Sequence, residues 1–148
     1  MKKKGIMEGV QAFIATCPHL KDFPGTNAKR VTLDKMDEEA SAYMIESIPA
    51  EPVIKTYLDG SSVRRAVFAL DSREYYEEVE NIDTNNFYEE FSDWLEKCFL
   101  DGIFPDLGAN REVTGIKAIT PGYLYDAEGT KAKYRIQCEL KYYQKKGE

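Results

Sequence analysis

The stretch KAKYRIQCELKYYQ, residues 131–144, carries the clearest periodic signal in this chain. Apolar and polar residues alternate along it, which is the pattern of a β-strand with one buried and one solvent-facing side. The expected buried set is Tyr134, Ile136, Cys138, Leu140 and Tyr142, and the expected solvent set is Lys133, Arg135, Gln137, Glu139 and Lys141. The stretch therefore predicts a strand in a sheet that has one buried and one solvent-facing side.

Other strand signals surround this one. Residues 113–126 (VTGIKAITPGYLYD) precede it across AEGT and predict the first arm of a β-hairpin. Residues 42–48 and 52–58 predict two strands separated by Pro49 and Pro52, which cannot donate ladder hydrogen bonds. After the turn signal DGSS, residues 63–72 (VRRAVFALDS) predict another strand. Its second half is apolar on both faces, which favours a central position covered on both sides.

Two stretches show helical spacing instead. Residues 5–20 place Ile6, Val10, Phe13, Ile14 and Cys17 on one face, and residues 87–102 carry a wide aromatic stripe. Asp83 or Thr84 is the expected cap of the second helix, after a loop over residues 73–86. A long loop before residue 42 has room for a short strand at residues 31–33.

These signals predict one α+β domain spanning residues 1–148. We expect a mainly antiparallel sheet of about five strands with two helices packed against it, in the order α-β-β-β-α-β-β. A chain of this length buries roughly 68–70% of its unfolded surface on folding, so it does not need disulfide bonds to be stable.

Charge and hydropathy narrow the functional classes. The net charge of −6 disfavours a general nucleic-acid binder, which would show a basic patch. No apolar run approaches the roughly 20 residues of a membrane span, and no signal peptide precedes the first helix. We therefore expect a soluble cytoplasmic protein with no membrane association.

Few residues suggest bond-making chemistry. The three cysteines, Cys17, Cys98 and Cys138, are widely spaced and lie in apolar contexts, which is typical of buried thiols rather than zinc ligands. His19 is the single histidine, and a dyad with Cys17 conflicts with the place of Cys17 on the apolar stripe. The acidic clusters lack the ligand pattern of a calcium loop. We expect no catalytic centre, no metal and no cofactor.

Tyrosine is abundant: ten of the 148 residues. Several tyrosines lie next to or near each other, as in Tyr142–Tyr143, and adjacent strand residues point to opposite faces. Exposed tyrosines are enriched at protein–protein interfaces. Interface formation and simple core filling remain open for these rings.

The chain resembles a family of small proteins encoded among the structural genes of long-tailed phages and prophages of Firmicutes. These are called minor capsid or minor tail proteins, and they are similar in size and element order to tail terminators. The resemblance covers nearly the whole chain and is carried by GVQAFIATCPHL (9–20), YLDGSSVRRAVFALDSREYYEE (57–78), NFYEEFSDWLE (86–96), FPDLG (104–108) and GYLYDAEGTKAKYRIQCELKYYQK (122–145). It rests on overall pattern and includes no catalytic signature.

The resemblance implies a virion protein of the tail or neck, assembled in the host cytoplasm. Copies of the chain would form a ring, commonly a hexamer, that caps the tail tube. The implied partners are other copies of itself, the major tail protein and the head connector protein, and DNA would pass through without specific binding. A ring needs two different complementary patches on each subunit.

We expect those contacts in the predicted loop over residues 71–81 and on exposed tyrosines near the C-terminal hairpin. The interface residues predicted on this basis are Arg64, Arg65, Arg73, Tyr75, Tyr76, Tyr123, Tyr125 and Tyr143. The arginines suit bidentate contacts with carboxylates.

Three other functions remain open. One is another head–tail joining protein of the neck. A second is a small cytoplasmic enzyme, whose mark would be a pocket holding His19 beside a carboxylate. A third is a peptide-binding module that uses an exposed sheet edge.

Overall fold

The computed structural model describes residues 5–20, 31–33, 42–75, 78–128 and 131–146. Two helices and seven strands lie in these ranges, which confirms the predicted α+β class. In chain order they are α1 (Ile6–Ile14), β1 (Val31–Leu33), β2 (Ala42–Ile48), β3 (Val53–Thr56), β4 (Ser62–Tyr75), α2 (Glu78–Leu100), β5 (Arg111–Ala118), β6 (Tyr123–Glu128) and β7 (Lys131–Gln144).

Two long strands, β4 and β7, form the centre of a single sheet. The order across the sheet is β1-β2-β4-β7-β5, with β3 also paired to β4 and β6 also paired to β7. The described ladders are antiparallel apart from β1–β2, which is parallel. Each 14-residue central strand is thus bordered on its far side by two shorter strands in succession.

The sheet has more strands than the predicted five, partly because residues 113–126 do not form one continuous strand. The chain breaks between β5 and β6 at Pro121, which has no N–H for the ladder. Before the break, the N–H groups of Ile119 and Thr120 both donate to the carbonyl oxygen of Gln137, at 2.8 and 3.4 Å. The short strand expected at residues 31–33 is present as β1.

The predicted loop over residues 73–86 is wrong. β4 continues to Tyr75 and α2 begins at Glu78, so Asp83 and Thr84 lie inside the helix instead of capping it. This stretch contains neither glycine nor proline, and the ladder with β7 continues through Tyr75↔Lys131. Cross-strand pairing therefore extends β4 where the local sequence suggested a turn.

Both helices pack against the same side of the sheet, which we call the core face. It is lined by the five alternate β7 residues that the sequence predicted as buried, together with Phe68 and Leu70 of β4. Phe13 of α1 stacks on Trp94 of α2 at 4.9 Å between ring centroids, which joins the helices in one core. Tyr88 of α2 donates a hydrogen bond to the carbonyl oxygen of Tyr134, fixing α2 to β7.

The opposite side of the sheet, the outer face, carries the other alternate residues of β4 and β7. No described helix covers it, so the expectation that β4 is covered by elements on both sides holds only for the core face. Asp71 is nevertheless fully buried on the outer face. Its carboxylate forms an ion pair with a side chain of the neighbouring strand β7. A buried ion pair on an otherwise uncovered face makes this face the candidate functional surface.

Candidate functional site

The centre of the outer face is an arginine held by two carboxylates. Arg135 of β7 lies directly opposite Asp71 of β4 and donates to both of its carboxylate oxygens, at 2.7 and 2.8 Å. The same guanidinium also donates to Glu46 of β2. The hydrogen bonds to Asp71 are the main cause of a raised pKa at Arg135. Three strands are thus joined by a permanently charged, geometrically fixed group.

Two tyrosines of β6 complete this centre. The guanidinium carbon of Arg135 lies 3.8 Å from the ring centroid of Tyr125, which is cation–π stacking. Gln137, two residues along β7, donates to the hydroxyl of Tyr123 at 3.0 Å. Tyr125 remains about half exposed, at 49%. Its outer surface is therefore presented on a rigid support.

Further along the outer face lies Arg65, one of the predicted interface residues. Its guanidinium is 3.5 Å from the carboxylate of Glu139 and donates to the carbonyl oxygen of Glu51 at 3.0 Å. Lys141 approaches the same carboxylate at 3.8 Å. The Glu139 side chain is only 12% exposed, so one nearly buried carboxylate holds two half-exposed cations.

Arg64 does not join this group. Adjacent strand residues face opposite sides, and Arg64 pairs across the ladder with Tyr142, which belongs to the core face. Its Nε donates to the hydroxyl of Ser62 at 2.9 Å. Arg64 and Arg65 thus lie on opposite sides of the sheet and would contact different surroundings.

Tyr143 lies at the other end of the outer face, near the β3–β4 turn. Its ring centroid is 6.5 Å from that of Tyr57, and Lys55 lies over the Tyr57 ring at 5.1 Å. Leu58, at the tip of the turn, is fully exposed. Aromatic side chains therefore lie both at the Arg135 centre and at this end of the outer face, with the Arg65–Glu139 ion pair between them.

The remaining predicted residues are described less fully. Arg73 and Tyr75 fall in β4, at the ladder positions opposite Lys133 and Lys131. Tyr76 lies outside the described residues. The expected contact loop over residues 71–81 is not a loop, because its two ends belong to β4 and α2.

The sequence predicted Tyr123 and Tyr125 at the interface but did not indicate the ion pairs of Arg135 at the centre. Arg135 was expected in the solvent-facing set, yet its side chain is only 7% exposed. The available signal was Asp71, a carboxylate that directly follows the apolar run VFAL. A buried carboxylate at that place requires a cation as its partner, but only the strand register identifies Arg135 as that cation.

The residues considered for catalysis lie elsewhere. His19 places its Nδ1 3.3 Å from Glu90 at the surface, whereas Cys17 is fully buried. All three thiols are free and buried, and burial raises the pKa of Cys138 and of Cys98. Within the described ranges, no cluster of three or more metal-ligating side chains occurs. Neither of the two described helices combines the length and the apolar character of a membrane span.

A scan against protein-family models gave no match to this chain, and a search of curated proteins gave no significant match.

Proposed function

We propose that this chain is a structural protein of a long-tailed phage or prophage particle, similar to a tail terminator. It would cap the tail tube as a ring, commonly a hexamer, and join the tube to the head connector. Its partners would be copies of itself, the major tail protein and the connector, and its location would be the virion. The proposal starts from the sequence resemblance over nearly the whole chain.

The observation that carries the proposal is the composition of the outer face. Four of the eight predicted interface residues, Arg65, Tyr123, Tyr125 and Tyr143, are spread along it, and no described helix covers them. Tyrosine and arginine are the residues most enriched where proteins dock. Because Arg135 and Gln137 already hold the two β6 tyrosines, docking there would sacrifice little side-chain entropy.

Tail length tests the function. We expect that particles assembled without this protein have tails of uncontrolled length in electron micrographs. Tails of normal, uniform length that still carry heads would refute the terminator role. Uniform tails without heads would instead support the alternative of another head–tail joining protein.

A pair of neighbouring variants tests the surface. Arg65→Glu should reduce retention of the protein on purified tails, because it places a negative charge against Glu139 on the outer face. The monomer should stay folded, because Lys141 still lies 3.8 Å from the Glu139 carboxylate and supplies its counter-charge. Arg64→Glu, on the other side of the sheet, is the matched comparison. Equal retention of the Arg65 variant and the wild type would exclude the outer face as the contact surface.

A further inference from the structure

A continuous groove lies between α2 and the edge of the sheet formed by β5 and the β5–β6 connection. It consists of two adjoining clefts of about 490 and 470 Å³, which share Ser92 and Ala118 in their walls. On the helix side it extends from Tyr88 to Phe99. Eleven residues of helix rise correspond to about 16 Å, which matches roughly five residues of extended chain.

One wall of the groove is a free strand edge. Among the residues that the structure describes, β5 pairs with β7 alone, so one row of its backbone N–H and C=O groups faces away from the sheet. The bulge at residues 113–115 ends before Gly115, and from there to Ala118 the register with β7 is regular. A regular, unpaired edge is a template for the addition of another strand.

The opposite wall is acidic. Glu89, Asp93 and Glu96 are exposed, line the two clefts and are spaced i, i+4 and i+7, so they share one side of α2. None of the three forms an ion pair with any residue in the described ranges. Between the walls, Phe99 and Ile119 expose apolar surface. The first cleft is also lined by Lys117 and by Lys141, which lies 3.8 Å from Glu139, but these belong to the outer-face side of the β5 edge. On the α2 side, the groove combines backbone pairing groups, an apolar floor and a row of carboxylates.

We propose that this groove binds an extended segment of a partner protein that carries lysine or arginine at alternate positions, added to β5 as a further strand. Alternate residues of a strand lie about 6.8 Å apart on one side. The carboxylates recur along α2 at about 6 and 4.5 Å by helix rise, so two successive cations can each reach one. The aliphatic stems would lie over Phe99 and Ala118 while the charged ends meet the acidic wall.

A second copy of this chain fits the groove poorly. If two β5 edges paired about a twofold axis, each copy would bring the same acidic wall of α2 to the shared surface. Like charges placed together across an interface disfavour that pairing. The complementary charge must therefore come from a basic segment of a different sequence. This inference goes beyond the proposed docking role, because it names the chemistry of a partner and does not depend on ring formation.

A peptide titration of the isolated protein tests the inference. The probe is a fluorescein-labelled, acetylated seven-residue peptide of alternating lysine and valine, followed by fluorescence anisotropy. The expected result is saturable binding, with amide shifts in NMR spectra confined to residues 114–120 and the facing side of α2. The triple variant Glu89→Gln, Asp93→Asn, Glu96→Gln should bind about tenfold more weakly, as the loss of at least two surface ion pairs implies.

Two controls separate groove binding from general charge attraction. The double variant Glu90→Gln, Asp101→Asn removes one charge from α2 and one from the residue that follows it, both outside the groove, and should bind as the wild type does. The same peptide with a methyl group on every backbone nitrogen keeps its charge but has no N–H to donate from either edge, so it cannot extend a sheet and should not bind. Equal binding of the N-methylated peptide, or of the triple variant, would overturn the inference.

Self-association of the protein through β5 would also overturn the inference. Sedimentation velocity of the protein without peptide would detect such self-association. Circular dichroism confirms that each variant is folded, and exposed charge-to-amide changes usually alter stability by no more than about 0.5 kcal/mol. Because no tail is present in this assay, its failure leaves the terminator proposal untouched, and failure of the tail-length test leaves the peptide result intact.

Discussion

At the scale of single residues, Asp71 is the position where substitution should cost most. Asp71→Ala leaves the guanidinium of Arg135 nearly buried with only the partly exposed Glu46 as a counter-charge. Removing one partner of a buried pair destabilises by about 3–5 kcal/mol. For a domain of this size we expect the melting temperature to fall by roughly 10 °C, measured by calorimetry.

Two further variants check the cause. Glu46→Ala removes the carboxylate that is 40% exposed and should cost less than about 1 kcal/mol. The double variant Asp71→Ala, Arg135→Met removes both buried charges, and it should recover most of the stability lost in the single variant. A double variant as unstable as Asp71→Ala alone would mean that packing, rather than an uncompensated charge, accounts for the loss.

The residues of the outer face also show what sequence can and cannot predict. The alternation in residues 131–144 predicted both faces of β7, because side-chain direction in a strand depends only on position parity. The pairing of Asp71 with Arg135 joins residues 64 positions apart and depends on the register between β4 and β7. No local pattern contains that register, so the most buried ionic contact was also the least predictable.

At the scale of elements, α1 lies so close to the 105–108 segment that alanine should be less stable than glycine at position 9, although alanine is the better helix former. Alanine is about 1 kcal/mol better than glycine within a helix, so helix propensity alone would make Gly9→Ala stabilising. A methyl group at Gly9 would, however, overlap the backbone carbonyl oxygen of Asp106, which cannot rotate aside. We expect a loss of about 1–3 kcal/mol in urea denaturation.

Gly5→Ala is the matched control, because a methyl group there meets nothing within 4 Å. Its effect at the N-cap should stay below about 1 kcal/mol. A stabilising Gly9→Ala would show that α1 shifts freely against the 105–108 segment.

The β3–β4 turn should respond to acid through Asp59. The carboxylate accepts hydrogen bonds from the hydroxyl and the backbone N–H of Ser61, at 2.6 and 2.9 Å, and these bonds lower its pKa below the usual 3.8. A lowered folded-state pKa means that the ionised form stabilises the turn above pH 3.8. This contribution disappears as the pH falls through the folded-state value.

The NMR shift of the Ser61 amide, followed from pH 6 to pH 2, measures this transition. Asp59→Asn keeps an acceptor oxygen without a titrating group, so its Ser61 amide should show no such step. A midpoint at or above 3.8 in the wild type would contradict the assignment.

The same scale explains why α2 was only partly predicted. Its C-terminal two thirds carry the aromatic stripe that packs on the core face, and that portion was recognised. Its first turns, from Glu78 to the asparagines at 85 and 86, have few apolar residues and therefore no 3.6-residue pattern. The ladder with β7 extends β4 to Tyr75, and α2 begins at Glu78, so the strand and the helix are separated by two residues only.

At the scale of the whole molecule, one core joins all the layers. The buried cluster contains side chains from α1, α2 and the central strands. None of these elements therefore has a hydrophobic core of its own. We infer that the protein unfolds as one cooperative unit, as single domains of this size usually do. The predicted single domain should therefore give coincident denaturation curves by far-UV circular dichroism and by Trp94 fluorescence.

Hydrogen exchange gives the sharper test of this cooperativity. β4 and β7 are paired on both sides along most of their length, so their amides open only with the whole fold. We expect residues 68–70 and 136–140 to exchange last, with a common opening free energy equal to that of global unfolding. β1, a three-residue edge strand, should exchange early. If β4 and β7 instead exchanged at distinct opening free energies, the sheet would consist of two halves that are stable independently of each other. The outer face, which spans both strands, would then not be one rigid docking surface.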